Sequence, residues 1–175
     1  MAAFTVIGHH ECTTTDAVVT FTSIPSSYDH LMMTLSVRAD HATYESGVNV
    51  NFNNDTGSNY SYTRLQALTS TPASSRVSGT AYGQWSACAG SSVLADTFAS
   101  AVVWVPHYAN TANFKSWATR SVIPNTSTTD SQWAVQIEAG LWSDTPAAIS
   151  EIDMSPASGS FVQYSNFTLY GVTGA

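Results

Sequence analysis

Four neighbouring residues near the start of the chain, His9, His10, Glu11 and Cys12, carry side chains that can bind a metal ion. Consecutive residues of a β-strand point to opposite faces, so His9 could share a face with Glu11, and His10 with Cys12. A metal site needs three or four converging ligands. The only further cluster, Asp40-His41, is far away in the sequence. We therefore interpret the histidines as solvated or interface residues and predict no metal ion and no cofactor.

Three carboxylates, Glu138, Glu151 and Asp153, are the residues that could support glycoside hydrolysis, which needs two carboxylates across a cleft. Glu151 and Asp153 share one face of a predicted strand, but charges that deter pairing between sheet edges have the same pattern. Serine and histidine are abundant, yet there is no G-x-S-x-G nucleophile turn. There is also no glycine-rich phosphate loop and no C-x-x-C or H-x-x-x-H spacing. We predict no enzymatic activity and no catalytic residue.

Five tryptophans are the feature with a binding interpretation, because sugars stack on exposed aromatic rings; they are Trp85, Trp104, Trp117, Trp133 and Trp142. Trp104 lies in an apolar run, so we expect it in the core. Trp117, Trp133 and Trp142 fall on alternating strands, where packing in the core or at a subunit interface is the favoured interpretation. Two polar loops, Asn53 to Ser61 and Asn125 to Gln132, are the segments that could bind glycans.

The composition is poor in charge and rich in aromatic residues. Only 10% of the 175 residues are charged, and the net charge is −7. A typical domain has about a quarter charged residues. Subunit interfaces are depleted in Lys and Glu and enriched in Tyr and Trp, so the composition favours burial against other subunits. The five cations are scattered, which argues against nucleic-acid binding; they are Arg38, Arg64, Arg76, Lys115 and Arg120.

The two cysteines, Cys12 and Cys88, do not form a disulfide framework, and we expect both to be buried free thiols. The first residues, Met1 to Thr5, lack the basic and apolar regions of a secretory signal. No apolar run approaches the length that spans a membrane. We expect a soluble protein made in the cytoplasm, with neither a membrane nor a nucleic acid as partner.

Strand patterns recur from end to end, and no segment has a helical stripe of useful length. Ten or so short strands at this spacing are typical of a sandwich or barrel. We predict an all-β, antiparallel β-sandwich of jelly-roll type that occupies residues 1–175 as a single domain. Residues 69–78, rich in Ser, Thr and Pro, are expected to form a loop. The predicted strands are Phe4–Ile7, Ala17–Ile24, Leu31–Val37, Val48–Phe52, Tyr60–Leu65, Ala81–Cys88, Thr97–Val105, Asn113–Val122, Gln132–Leu141, Ile149–Met154 and Asn166–Val172.

Five segments spread over nearly the whole chain resemble small all-β virion proteins of tailed bacteriophages, especially phages of cyanobacteria and marine hosts. They are Ile24–Leu31, Phe52–Tyr62, Pro106–Asn110, Gly140–Ser143 and Ser165–Gly171. Similar segments occur in capsid-decorating proteins and in tail or fibre proteins. The resemblance implies a virion component, leaves its position on the particle open, and implies no catalytic residue.

These observations lead to two hypotheses of different classes. The first is a capsid decoration (cement) protein that stabilises the head by bridging capsomers. It would form a homo-oligomer, expected to be a homotrimer, and bind the major capsid protein. The second is a tail, baseplate or fibre protein that binds host glycans and contacts other tail proteins. Both place the protein in the virion.

Overall fold

The computed structural model describes residues 3–67, 71–124, 134–144 and 146–174, which form strands and connecting turns and contain no helix. No helix in this part of the chain is therefore long and apolar enough to cross a membrane. The strands are β1 (Ala3–Glu11), β2 (Val19–Phe21), β3 (His30–Val37), β4 (Glu45–Phe52), β5 (Tyr60–Ala67), β6 (Pro72–Thr80), β7 (Gly83–Ala89), β8 (Ala99–Pro106), β9 (Lys115–Ile123), β10 (Ala134–Trp142), β11 (Ile152–Pro156) and β12 (Asn166–Thr173).

The strands form two antiparallel sheets packed face to face, so the predicted all-β sandwich is confirmed. The larger sheet has the order β1-β12-β3-β8-β9-β10-β5-β6, and the smaller one has the order β2-β11-β4-β7. If β8, β9 and β10 are counted together as one unit, β2 to β11 supply the eight positions of a jelly roll. In this numbering β2 is position one and β11 is position eight. The smaller sheet has the order 1-8-3-6 and the larger sheet the order 2-7-4-5, which is the strand order of a jelly roll. The seventh position is expanded into a three-stranded meander, and β12 and β1 extend the larger sheet beyond β3.

Most predicted strands exist, with ends that differ by a few residues, but two predictions need correction. Residues 72–78, predicted as loop, belong to β6 and pair with β5. Almost every residue of β6 is exposed, so the strand has no alternating apolar pattern to reveal it. The strand predicted over Ala17–Ile24 is only three residues long, Val19–Phe21. Gln132 and Trp133, at the start of another predicted strand, lie outside the described residues.

An aromatic cluster fills the core between the two sheets, around Phe52 at the end of β4. The Phe52 ring centroid is 5.8 Å from that of Trp85, 5.9 Å from Trp117 and 5.5 Å from Trp142. The tilted or edge-on arrangement of these rings is the geometry that aromatic pairs prefer. Three of the five tryptophans therefore hold the sheets together.

Two glycines form the slot that receives the Trp117 ring. Gly140 lies opposite Trp117 in the β9–β10 pair, and a Cβ added at Gly140 would come within 1.9 Å of the indole. On the other side, a Cβ added at Gly83 of β7 would lie 2.7 Å from the same ring. The indole Nε1 donates a hydrogen bond to the Gln84 carbonyl, at 3.0 Å. Trp117 thus bridges the larger and the smaller sheet.

Candidate functional site

The candidate site is the solvent-facing surface of four adjacent strands of the larger sheet, β8, β9, β10 and β5, which we call the outer face. Arg120 is the only charged side chain among the outward residues of these strands. The large exposed apolar side chains on it are Leu65, Val102, Val122, Val135, Ile137 and Leu141, each between 39% and 54% exposed. A monomer rarely leaves a contiguous apolar area of this kind open to water, and such areas mark binding surfaces.

Strand register makes the outer face contiguous. Val102 and Ile137 both lie opposite Arg120, and Leu65 lies opposite Ile137, so these four residues form one row across the sheet. Two positions along, Val135 lies opposite Val122 in a second row. A shallow depression of about 360 Å³ lies between the rows. Side chains directly opposite each other in an antiparallel pair are in contact range, so the rows form one surface.

Strand β10 has the reverse of the usual sandwich pattern in its middle, although Ala134 and Trp142 at its ends face the core. Its apolar residues Val135, Ile137 and Leu141 face solvent, whereas the polar residues Gln136 and Glu138 are 1% exposed and face the other sheet. A sheet that is solvated on one face normally turns its apolar residues inward. The exposed apolar residues make the exterior of β10 the strongest candidate for a binding surface among the described residues.

A polar network occupies the interior beneath the outer face. The Arg64 Nε donates to Glu138 at 2.7 Å, and Arg64 Nη1 donates to Gln66 at 3.1 Å. Gln136 donates through its side-chain amide to Glu45 of the smaller sheet. Burial raises the pKa of Glu138, although the neighbouring Arg64 opposes the shift, and burial likewise raises the pKa of Glu45. The network fixes which face of β10 is turned inward, because charged groups buried without partners are costly.

The structure separates Glu138 from Glu151 and Asp153, the other two carboxylates that could support hydrolysis. Glu138 lies between the sheets. Asp153 of β11 is on the solvent side of the smaller sheet and accepts a hydrogen bond from Thr20 at 2.6 Å. Glu151, just before β11, accepts one from Asn54. Glu138 is thus enclosed between the sheets, whereas Glu151 and Asp153 are both partly exposed on the smaller sheet, so Glu138 does not pair with either across an open cleft.

The tryptophans divide between the core and the outer face. Trp85, Trp117 and Trp142 are at most 3% exposed, as core packing predicts. The prediction for Trp104 was wrong, because it lies on the outer face, partly exposed, with its ring 5.0 Å from that of His30. Trp133 lies outside the described residues. Three of the four described tryptophans therefore have no surface on which a sugar could stack.

The polar loop at 53–61 supports the core through Asp55, whose side chain bonds within the chain. The Asp55 carboxylate accepts hydrogen bonds from the Gly57 amide at 2.8 Å, Asn59 at 2.9 Å and the Trp142 indole at 2.6 Å. Burial alone would raise the pKa of Asp55, but these donors, Trp142 first, outweigh it and lower that pKa. The loop at 125–132 lies outside the described residues.

Cys12 and Cys88 are buried free thiols, as predicted. The candidate ligands at the N-terminus are only partly brought together. His10 and Cys12 share a face, as their spacing predicts, whereas His9 bonds Thr168 and Glu11 is on the opposite face. The third ligand that joins them is Asp16, which no sequence spacing indicates. Asp16 follows the strand by five residues in an irregular segment, where spacing predicts no side-chain direction.

The cations are mostly occupied within the fold. Arg38 donates to the carbonyls of Leu94 and Thr97, both at 2.9 Å, and Lys115 is 1% exposed. Arg64 belongs to the interior network. Only Arg76 and Arg120 are exposed among the five.

Comparisons of the chain with protein-family models, with curated proteins and with solved structures found no match.

Proposed function

We propose that this chain is a structural protein that assembles through the outer face, and more narrowly a virion decoration protein that forms a homotrimer on a phage capsid. The observation that supports assembly is the reversed pattern of β10, with Ile137 and Val135 exposed above a buried Glu138. Protein interfaces are depleted in charge at their centre, and Arg120 is the only charge on this surface.

The virion part of the proposal is supported by the resemblance of five segments to phage virion proteins. One of these five segments, 52–62, forms a turn whose Asp55 bonds to Gly57 and to the core residue Trp142. This segment therefore has a structural role, as a virion component requires. A contact between two different patches generates a closed ring when its rotation closes. A trimeric ring is the form expected of a cement protein at a symmetry axis between capsomers.

The first experiment is the solution mass of the purified chain, measured by light scattering for the wild type and two variants. Ile137→Lys places a second cation beside Arg120 in the middle of the outer face. Val18→Lys is the matched control, because Val18 is similarly exposed, at 54% against 52%, but precedes β2 of the smaller sheet. We expect a trimer for the wild type and for Val18→Lys, and a monomer for Ile137→Lys. A monomeric wild type would contradict assembly through this face.

Electron cryomicroscopy of particles that carry the chain tests its position. Density for trimers across the capsid shell is expected for a decoration protein. Density at the tail alone would replace decoration with the tail or baseplate function. If the chain is absent from purified particles, both virion functions are contradicted. Assembly through the outer face is then tested by the mass measurement alone.

A further inference from the structure

A cluster of three different metal-ligating side chains lies at the end of β1, away from the outer face. The His10 Nε2 is 2.8 Å from the Asp16 Oδ2. The ligand atoms of His10, Cys12 and Asp16 all lie within 4.8 Å of one another. We propose that these residues form a binding site for a thiophilic divalent cation, with Zn²⁺ as the expected ion.

The backbone holds each of the three ligands in place independently. His10 lies in β1 opposite Phe167 of β12. The Cys12 amide donates to Ser165 at 2.9 Å, and its carbonyl accepts from Tyr164 at 2.8 Å. Asp16 and Phe161 exchange both backbone hydrogen bonds, at 3.0 and 2.9 Å. The residues are therefore brought together by tertiary pairing and do not need the ion to bring them close.

The donor set selects the ion. One thiolate, one imidazole and one carboxylate match the ligands of zinc sites, whereas Mg²⁺ and Ca²⁺ prefer oxygen donors alone. Zinc distances of about 2.0–2.3 Å place tetrahedral ligand atoms about 3.4–3.6 Å apart. The spacing in the cluster reaches this value through side-chain adjustments of about 1 Å. Three protein ligands leave the fourth position to water, which is the composition of an open zinc site.

Access to the site is from the His10 and Asp16 side. Their side chains are 41% and 31% exposed, whereas Cys12 is fully buried behind them. When the ion binds, the Cys12 thiol releases its proton to solvent and the metal–sulfur bond forms. The rings of Phe161 and Phe167, 4.9 Å apart, pack beside the cluster.

The same residues do not form a hydrolytic triad. In such a triad the histidine lies between the nucleophile and the acid, so that it can take the proton of the nucleophile. Here the His10 Nε2 bonds the Asp16 carboxylate at 2.8 Å, and the Cys12 thiol lies within 4.8 Å of both groups without a hydrogen bond to the imidazole. This arrangement fits a set of ligands that converge on one point.

Titration with Co²⁺ tests the site directly, because cobalt bound to a thiolate gives a charge-transfer absorption band in the near ultraviolet. We expect the band to saturate at one ion per chain and Zn²⁺ to displace the cobalt. His10→Ala and Asp16→Asn should weaken Co²⁺ binding at least tenfold, and Cys12→Ser should remove the band. His10→Ala keeps the test valid if the buried Cys12 variant fails to fold, since His10 is partly exposed.

Two control variants separate this site from incidental binding. His9→Ala removes the neighbouring histidine, which bonds Thr168 instead. Cys88→Ser removes the other thiol, which lies in β7. We expect both to retain the band with unchanged affinity. Absence of a saturable band in the wild type, its persistence in Cys12→Ser, or its loss in Cys88→Ser alone would overturn the proposal.

Discussion

Asp55 is the single side chain on which the turn between β4 and β5 most depends. Its carboxylate accepts three hydrogen bonds, from Gly57, Asn59 and Trp142. We expect Asp55→Ala to lower the free energy of unfolding by at least about 3 kcal/mol, because even a single hydrogen bond to a charged group contributes roughly 1.5–3 kcal/mol. Urea unfolding followed by tryptophan fluorescence measures the loss. Thr56→Ala, an exposed position in the same turn, is the control; equal stability of the two variants would contradict this role.

The same carboxylate predicts a dependence on pH. The folded-state pKa of Asp55 is below its ordinary value of 3.8, because the donors outweigh the effect of burial. A lowered pKa means that folding favours the charged form. This stabilisation is fully present above pH 3.8 and is lost as the pH falls through the folded-state pKa. Below pH 3.8 the stability difference between wild type and Asp55→Ala should therefore shrink.

At the residue scale, the sequence predicts local chemistry well and distant partners poorly. The Asn-Asp-Thr-Gly turn is readable, because Asn tolerates the left-handed backbone that Asn53 and Asn54 adopt, with φ of 53° and 58°. The indole of Trp142, 87 positions away, is a partner that no spacing rule indicates. Asp16 was missed as a ligand for a related reason, since its placement depends on a bridge to Phe161.

At the element scale, alternation reveals a strand but not which of its faces is buried. The alternation of β10 was readable, yet in the middle of the strand Val135 and Ile137 face outward while Gln136 and Glu138 face inward. The inward face is set by Arg64 and Glu45, which come from other strands. β6 was missed because neither of its faces is buried, so its sequence carries no apolar period.

The contact between β9, β10 and β7 gives a prediction at this scale. Gly140→Ala should lower the free energy of unfolding by about 3 kcal/mol, because its Cβ would overlap the Trp117 indole and overpacking of a core is costly. Gly79→Ala is the control, since nothing lies within 4 Å of the added Cβ. For Gly79→Ala we expect a loss of only about 1 kcal/mol, which comes from placing alanine at a positive φ of 66° and not from a steric overlap.

A double variant tests the stated cause of the Gly140 effect. Replacing Trp117 by Phe removes the part of the indole that a Cβ at Gly140 would meet. We expect Gly140→Ala to cost less in the Trp117→Phe background than in the wild type, because residues in contact are not additive. Chemical denaturation of the four proteins measures the coupling. An identical cost in both backgrounds would refute the steric explanation.

At the scale of the whole molecule, the charge-poor composition and the outer face point to the same property. The chain has 10% charged residues, and six of its exposed large apolar side chains lie side by side on β5, β8, β9 and β10. The composition predicted that much of the surface is buried against other subunits, but not where. The proposed location, the outer face, depends on the register of the larger sheet and so on the long-range pairing of β10 with β5.

If the outer face holds copies of the chain together, thermal stability must depend on protein concentration, because association stabilises only the folded state. A tenfold increase in concentration should raise the wild-type Tm by about 2–4 °C, the shift that roughly 1 kcal/mol produces in a chain of this length. Differential scanning calorimetry at three concentrations measures it. Ile137→Lys should have a Tm that does not change with concentration, whereas Val18→Lys, just before β2 of the smaller sheet, should behave as the wild type. A concentration-independent wild-type Tm, or the same dependence in Ile137→Lys, would show that copies of the chain do not associate through this face.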